Sequence, residues 1–548
     1  VGDVGVQAEL AYHLGRVMRS QSFDADALTT GLRVLKGDHP QDVTLQAIRL
    51  VQLSLGDVGP REKQPPAFDS YAPWIDLTSF QETIKPAAEQ LAAIYPTGNK
   101  QVDVELSRVL AMLAPTDGEL LDRVLAKIGK DSHPVDDIHQ LLVAARIPAQ
   151  RTAGQREAIA AALVALDKKT TSRKLKLDGN WDPRIGEVYA ELTKHDAELP
   201  QAIVKRPEFG RPSQVVYLSQ LSKDDLPTVV SAFAQSVQGD RDYPWNNQIV
   251  FLLGASKMPE HRTLVRDQYE SFAVRGAVLI VLAKKPEAKD RDKFAEGLSS
   301  SQLGVLEACL TALSKLPENR EPAEQFALLR TLRRLGSNRS EYVLREKVVE
   351  LLRRNLKQEF EFAVGTAGHK PQPDVVRKWT DYLSEQFPKV SVRELGGKAE
   401  DLSQLKQKLA EVDWTKGDAS RGRKLFEKRS CVQCHGGRQA LGPDLAGVAR
   451  RFSRDDLFVS ITVPNRDVSP RYQTTLVETT EGKVYTGLII HQSAEGLLLR
   501  NATNQTFRFE ADEIETQQTR STSLMPAGLL KDLKPSELAD LYRYIGGL

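Results

Sequence analysis

From its first residue to about residue 386 the chain repeats one device: apolar positions at helical spacing, in segments of about 12 to 18 residues, broken by short polar turns carrying Gly, Pro, Asp or Asn. DVTLQAIRLVQLSLGD, VDVELSRVLAMLAPTD, QREAIAAALVALDKKT, FAVRGAVLIVLAKKPE, GVLEACLTALSKLPE and EYVLREKVVELLRRN each carry such a stripe, with Ala where helices pack closely. A helix with one apolar stripe has to cover it with another helix, so the region is predicted to be mainly α. At 548 residues the chain is too long for a single core, which leaves two or more domains or an extended array. GDVGPREKQPPAFDSYAPW and VGTAGHKPQPD interrupt the pattern as Pro-rich loops.

These segments resemble the second helices of HEAT-like pairs at irregular separation. Residues 1–386 are therefore read as a degenerate HEAT-like α-solenoid, with a non-repeating helical bundle as the alternative. Chemistry is sparse there, and binding along a concave face is the default role. Cys309, inside LEACLTALSKL, is expected to be an inert buried thiol. HPVDDIH gathers His133, Asp136, Asp137 and His139, but Pro134 and the aspartates suit a helix start better than a metal. A net charge of +2 gives no overall pull toward nucleic acid or membrane, and no apolar run approaches the roughly 18 residues of a membrane span. The opening VGDVGVQAEL has neither an initiating methionine nor a signal-peptide pattern, which suggests an excised piece whose true N-terminus lies upstream.

After a charged connector at 387–415, the text changes at Lys416. GDASRGRKLFEKRSCVQCHGG reads as a short amphipathic helix running into CxxCH. Sulfurs at Cys431 and Cys434 lie on adjacent corners of one turn, with His435 next in line; this suits thioether attachment of haem c, His435 giving a ring nitrogen to iron. Structural zinc needs a second ligand pair at finger-like spacing, and a thioredoxin-like pair needs a βαβ setting; neither is visible. A second axial ligand is then sought among soft thioethers, and Met525, in the loop STSLMPAGLL, is the methionine after residue 258. His491 is the rival, while Met258 belongs to the helical text. A carbonyl near Pro443, in ALGPDLAGV, would orient the histidine. KPSELADLYRYIGGL reads as a closing helix that packs across the first one at Gly422, Leu425 and Phe426.

With LGPDL, SLMPAGL and the terminal helix, residues 416–548 resemble a class I cytochrome c. The resemblance puts haem attachment on Cys431 and Cys434, the proximal ligand on His435, the motif proline on Pro443 and the distal ligand on Met525. The ligands are 525 − 435 = 90 residues apart, and the surplus at about 471–516 reads as strands YQTTLVETT, KVYTGLIIHQ, GLLLRNA and QTFRFEADEIE, an antiparallel meander or SH3/Sm-like barrel. VPNRDVSPRYQTTLVETTEGKVYTGLI resembles the haem-binding domain of planctomycetes and verrucomicrobia, which follows HEAT-like repeats and, upstream, a β-propeller similar to sugar or sorbosone dehydrogenases. No propeller is visible in this chain.

The expected function is single-electron transfer by a His/Met haem on a helical-repeat scaffold, with a redox protein as donor or acceptor and an extracytoplasmic, periplasmic place implied by the resemblance. Arg438, Arg450, Arg451 and Tyr472 are candidate neighbours of the haem propionates, or else plain surface groups. The alternatives are the haem-bearing part of a sugar or alcohol dehydrogenase whose catalytic domain is elsewhere, and a binding scaffold with structural haem. A di-haem peroxidase would need a second CxxCH, and the chain has one.

Overall fold

The helical stripes pack as their period requires. The computed structural model describes residues 3–19, 22–57, 65–175, 177, 180–271, 273–300, 302–335, 339–364, 372–388, 390, 405–436, 441–481, 483–502, 504–530 and 532–548. Two compact units divide the chain, Val1–Pro244 and Trp245–Leu548.

Unit 1 consists of α1 (Asp3–Val17), α2 (Ala25–Val34), α3 (Gln41–Ser54), α4 (Gln81–Ile94), α5 (Lys100–Leu113), α6 (Gly118–Leu125), α7 (Pro134–Arg146), α8 (Ala153–Ser172), α9 (Trp181–His195), α10 (Leu199–Val204) and α11 (Leu226–Gly239), joined by turns and short 3-10 segments. Alternate helices lie side by side: α1 on α3, α3 on α5, α5 on α7 and α7 on α9, with α6, α8 and α10 in a second row. Asp24, Asn99, Asp117 and Thr152 start their helices by accepting hydrogen bonds from first-turn N–H groups that have no partner inside the helix. HPVDDIH is such a start: His133 caps α7, and Pro134 is its first residue. Asp137 is fully buried and pairs with Lys169 at 2.5 Å. His139 bridges the hydroxyls of Tyr71 and Ser107 at 2.8 Å each, and burial pushes it down to about 4, so it stays neutral.

Unit 2 opens with α12 (Asn247–Gly254), α13 (Pro259–Asp267), α14 (Arg275–Lys284), α15 (Arg291–Gly297), α16 (Leu303–Lys315), α17 (Pro322–Arg334), α18 (Arg339–Leu356) and α19 (Pro373–Gln386), again packed as alternates: α12 on α14, α14 on α16, α16 on α18 and α17 on α19. Cys309 is fully buried on α16, and burial pushes its thiol up to about 12.

The C-terminal part of unit 2 holds α20 (Ala419–Lys428), α21 (Cys431–His435), α22 (Val448–Arg451), α23 (Arg454–Thr462), five strands and α24 (Pro535–Ile545). Leu425, Phe426, Phe458, Leu538, Leu541 and Ile545 form its core, into which Leu405, Leu409 and Val412 from the connector also pack. First and last helices cross at Gly422, where a Cβ would lie 2.0 Å from the Asp540 carbonyl oxygen and 2.7 Å from Tyr544 Cβ; only glycine permits this approach. One turn on, Phe426 and Tyr544 meet edge to face at 5.3 Å. The buried Asp540 carboxylate accepts from the Asp418 N–H at 2.7 Å and from the Arg421 guanidinium at 2.8 Å, locking the same crossing.

The strands are β1 (Thr475–Thr479), β2 (Val484–Ser493), β3 (Gly496–Arg500), β4 (Thr506–Glu510) and β5 (Ile514–Thr519), in the antiparallel order β4-β3-β2-β1-β5. Val477, Leu497, Leu499 and Phe509 are their core. The sheet is small and antiparallel, as both expected forms require, with one difference: QTFRFEADEIE is not one strand. A turn at Ala511–Glu513 breaks it, and the chain returns as β5 along the far side of β1. That return carries the chain back toward the loop of Met525.

Candidate haem site

Asp418 caps α20 by accepting from the Arg421 N–H at 2.8 Å. The helix ends where Ser430 turns left-handed at φ 60, and this kink redirects the chain into the single turn CVQCH. Residues three apart share one side of a helical turn, so Cys431 and Cys434 stand together, both half-buried. They face different clusters: Cys431 rests on the helical core, Cys434 on Leu441, Leu488 and Leu524.

His435 is fixed from behind. Its Nδ1 lies 2.8 Å from the Pro443 carbonyl oxygen. A carbonyl only accepts, so Nδ1 carries the proton and Nε2 keeps a free lone pair. Gly442 makes the approach possible: its N–H donates to the Cys434 carbonyl at 2.7 Å, and a Cβ there would stand 2.7 Å from His435 Cε1. Burial lowers the pKa of His435, partly offset by the Pro443 carbonyl, which favours the neutral, ligating ring. Burial also pushes the Cys431 thiol up to about 11 and raises Cys434. Reactive CxxC pairs work by a lowered thiol pKa, so these two are not poised for disulfide exchange. Among the described residues no three His, Cys, Asp or Glu side chains converge as a metal site.

Cys431, Cys434, His435, Pro443, Tyr472 and Met525 all line one cavity of about 2060 Å³. Met525 is half-buried in a loop whose preceding residue, Leu524, packs on Leu441 beside Cys434, so the methionine loop and the CVQCH turn share an apolar contact. Phe426, Leu529, Leu541 and Ile545 add apolar wall, and Gly276, Ala277, Arg330 and Arg334 of the α14 and α17 helices line the cavity as well. Apolar walls, paired sulfurs and one oriented imidazole fit a covalently held porphyrin. Of the expected propionate neighbours, Arg451 and Tyr472 line the cavity, and Arg451 already donates to the carbonyls of Asp444 and Ala446 at 3.0 and 3.1 Å. Arg450 is exposed and does not line it. Arg438 lies outside the described residues. His491 is exposed on β2, and Met258 caps α13; neither lines the cavity.

Residues 417–484 match the family model described as cytochrome C oxidase, cbb3-type, subunit III. This segment is a class I cytochrome c-like haem-binding domain. The cytochrome match spans α20 through the start of β2 and ends before the methionine loop. A cytochrome c domain implies covalently bound haem c, electron transfer and redox partners, and such domains are typically extracytoplasmic. No curated protein matches the chain. No described helix is long and apolar enough to cross a membrane.

The sequence reading missed Gly442 as a residue of the site, although its place before Pro443 was a signal. It also missed Asn465, whose side chain accepts from the Ser523 N–H at 2.7 Å and ties down the methionine loop. Nothing local marks that asparagine.

Proposed function

We propose that the chain is a one-haem electron carrier: Cys431 and Cys434 hold a single haem c, His435 and Met525 are its axial ligands, and a HEAT-like array over 1–386, joined through 387–415, carries the cytochrome domain of 416–548. The observation that carries this reading is the 2.8 Å bond from His435 Nδ1 to the Pro443 carbonyl, which frees Nε2 at a cavity that Met525 also lines. When bound, the haem supplies a reversible one-electron couple, and methionine ligation sets it high. The protein's own residues do the rest. Gly442 lets the imidazole seat, Leu441 and Leu524 exclude water between the two ligand loops, and Arg451 and Tyr472, which line the cavity, would be available to partner the haem carboxylates.

Side-by-side packing of alternate helices supports the repeat array. The planctomycete-type resemblance and the domain type support a periplasmic setting and a separate redox protein, a β-propeller dehydrogenase among the candidates. Met525→Ala in haem-loaded protein is the test: loss of the far-red sulfur-to-iron band is expected, and its survival would exclude Met525 as ligand.

A further inference from the structure

The methionine loop is held by hydrogen bonds on the side that precedes Met525 and by the buried Leu529, Leu530 and Leu533 on the side that follows. The Arg520 N–H donates to the Thr474 carbonyl at 2.7 Å, and the Thr474 N–H returns to the Thr522 carbonyl at 2.9 Å. The two threonine hydroxyls meet at 2.6 Å, Ser523 N–H reaches Asn465, and the Met525 N–H donates to Ser523 Oγ at 3.0 Å. Beyond the methionine, Pro526, Ala527 and Gly528 are exposed. What fixes Arg520 therefore helps to fix the thioether five residues later, through the hydrogen-bonded stretch between them. The Arg520 guanidinium does not turn to solvent or to its own domain. Its Nη2 lies 2.6 Å from Oε1 of Glu341, in the first turn of α18, as a contact of charges rather than an aligned hydrogen bond. Glu341 keeps only 7 % of its side chain exposed, and β2 also rests on α16, so the sheet is seated on the helices of its own unit.

We propose that the Glu341–Arg520 ion pair is a positioning device for the distal ligand, through which the helices of unit 2 set how firmly Met525 holds its place. The inference rests on Met525 being the ligand. Glu341 also faces the guanidiniums of Arg334 and Arg345, so losing Arg520 weakens the compensation of its charge rather than removing it, and what is lost is the tie between α18 and the strand that leads to the loop. The arginine backbone bond to Thr474 does not depend on its side chain, so Arg520→Gln removes the charge and leaves the strand pairing.

The test uses the full chain with haem attached. Stopped-flow absorbance follows imidazole displacing the sixth ligand, and redox titration gives the midpoint potential. Arg520→Gln is expected to speed displacement about tenfold, within the range found for coupled neighbours, and to lower the potential; Arg520→Lys restores both in large part. Should Arg520→Gln fail to accumulate, Glu341→Asp, which keeps the charge but retracts it, is expected to move both readouts the same way. A lower urea midpoint with an unchanged displacement rate overturns the positioning role, provided Met525→Ala has lost its far-red band. If Met525→Ala keeps the band, the ligand assignment itself falls and the inference with it.

Discussion

The His435 side and the Met525 side of the cavity, proximal and distal on the proposed ligation, are built by opposite strategies. The proximal side is local: Ser430 to Pro443 bring the two thiols, the imidazole and its orienting carbonyl together through bonds spanning eight residues, Cys434 to Gly442 and His435 to Pro443. The distal side is assembled across the chain: Met525 depends on Thr474, Asn465 and Leu488, and through Arg520 on Glu341. A local cradle survives small rearrangements of the fold because its parts move together. A strap tied at distant points reports every one of them, which on the proposed ligation would make it the place where a potential is adjusted.

The widest gap between the two strategies should show at the helix crossing that frames both. Gly422→Ala puts a Cβ within 2.0 Å of a backbone oxygen that no rotamer can move, so a loss of about 3 kcal/mol or more is expected, above the usual range for overpacking. Urea unfolding followed at the haem band checks it, and a change below 0.5 kcal/mol would mean the helices do not cross this closely. Next comes Leu524→Ala. Removing a buried leucine costs about 2–5 kcal/mol, and at 7 % exposure the lower half of that range is expected. The loss should fall on the distal side alone: faster exchange of the sixth ligand, with covalent haem yield by mass spectrometry unchanged. Equal damage to attachment would erase the distinction between the two sides.

The same contrast decides what could be read from the amino-acid order. CxxCH, the proline eight residues after His435, the lone late methionine and the Gly422, Leu425 and Phe426 contact face are each compact patterns, and the structure brings them to one cavity and one helix crossing. Helical stripes were legible for the same reason. The fifth strand was not, because IETQQT is an exposed edge with no apolar alternation to announce it. Glu341 and Arg520, Thr474 and Thr522, and Asn465 are ordinary polar residues whose meaning arises only when the fold joins them. Leu405, Leu409 and Val412 looked like connector because the core they enter is built from residues that follow them.

Acid should loosen the frame at the helix crossing. The Arg421 guanidinium and the Asp418 N–H hold the Asp540 carboxyl below its ordinary range. A group whose folded pKa is depressed stabilises the fold above the unfolded value and loses that contribution as pH falls through the folded one. Stability should therefore decline below the ordinary carboxylate range, and Asp540→Asn should flatten that part of the profile while lowering the neutral-pH plateau. An unchanged acid limb in Asp540→Asn would place the loss elsewhere.

The smallest effect separates the two neighbouring arginines. Arg450 is exposed and off the cavity, so Arg450→Ala should stay within about 0.5 kcal/mol of the parent and leave the midpoint potential alone. Arg451 lines the cavity and braces the carbonyls of Asp444 and Ala446, next to the Pro443 that orients His435. Arg451→Ala removes a positive charge from the cavity wall; such a charge favours the reduced, more electron-rich state of a group bound there, so the potential should fall. Parallel redox titrations of the two variants check this; equal shifts would show that the charge acts through solvent at long range and that the cavity wall gives Arg451 no special part.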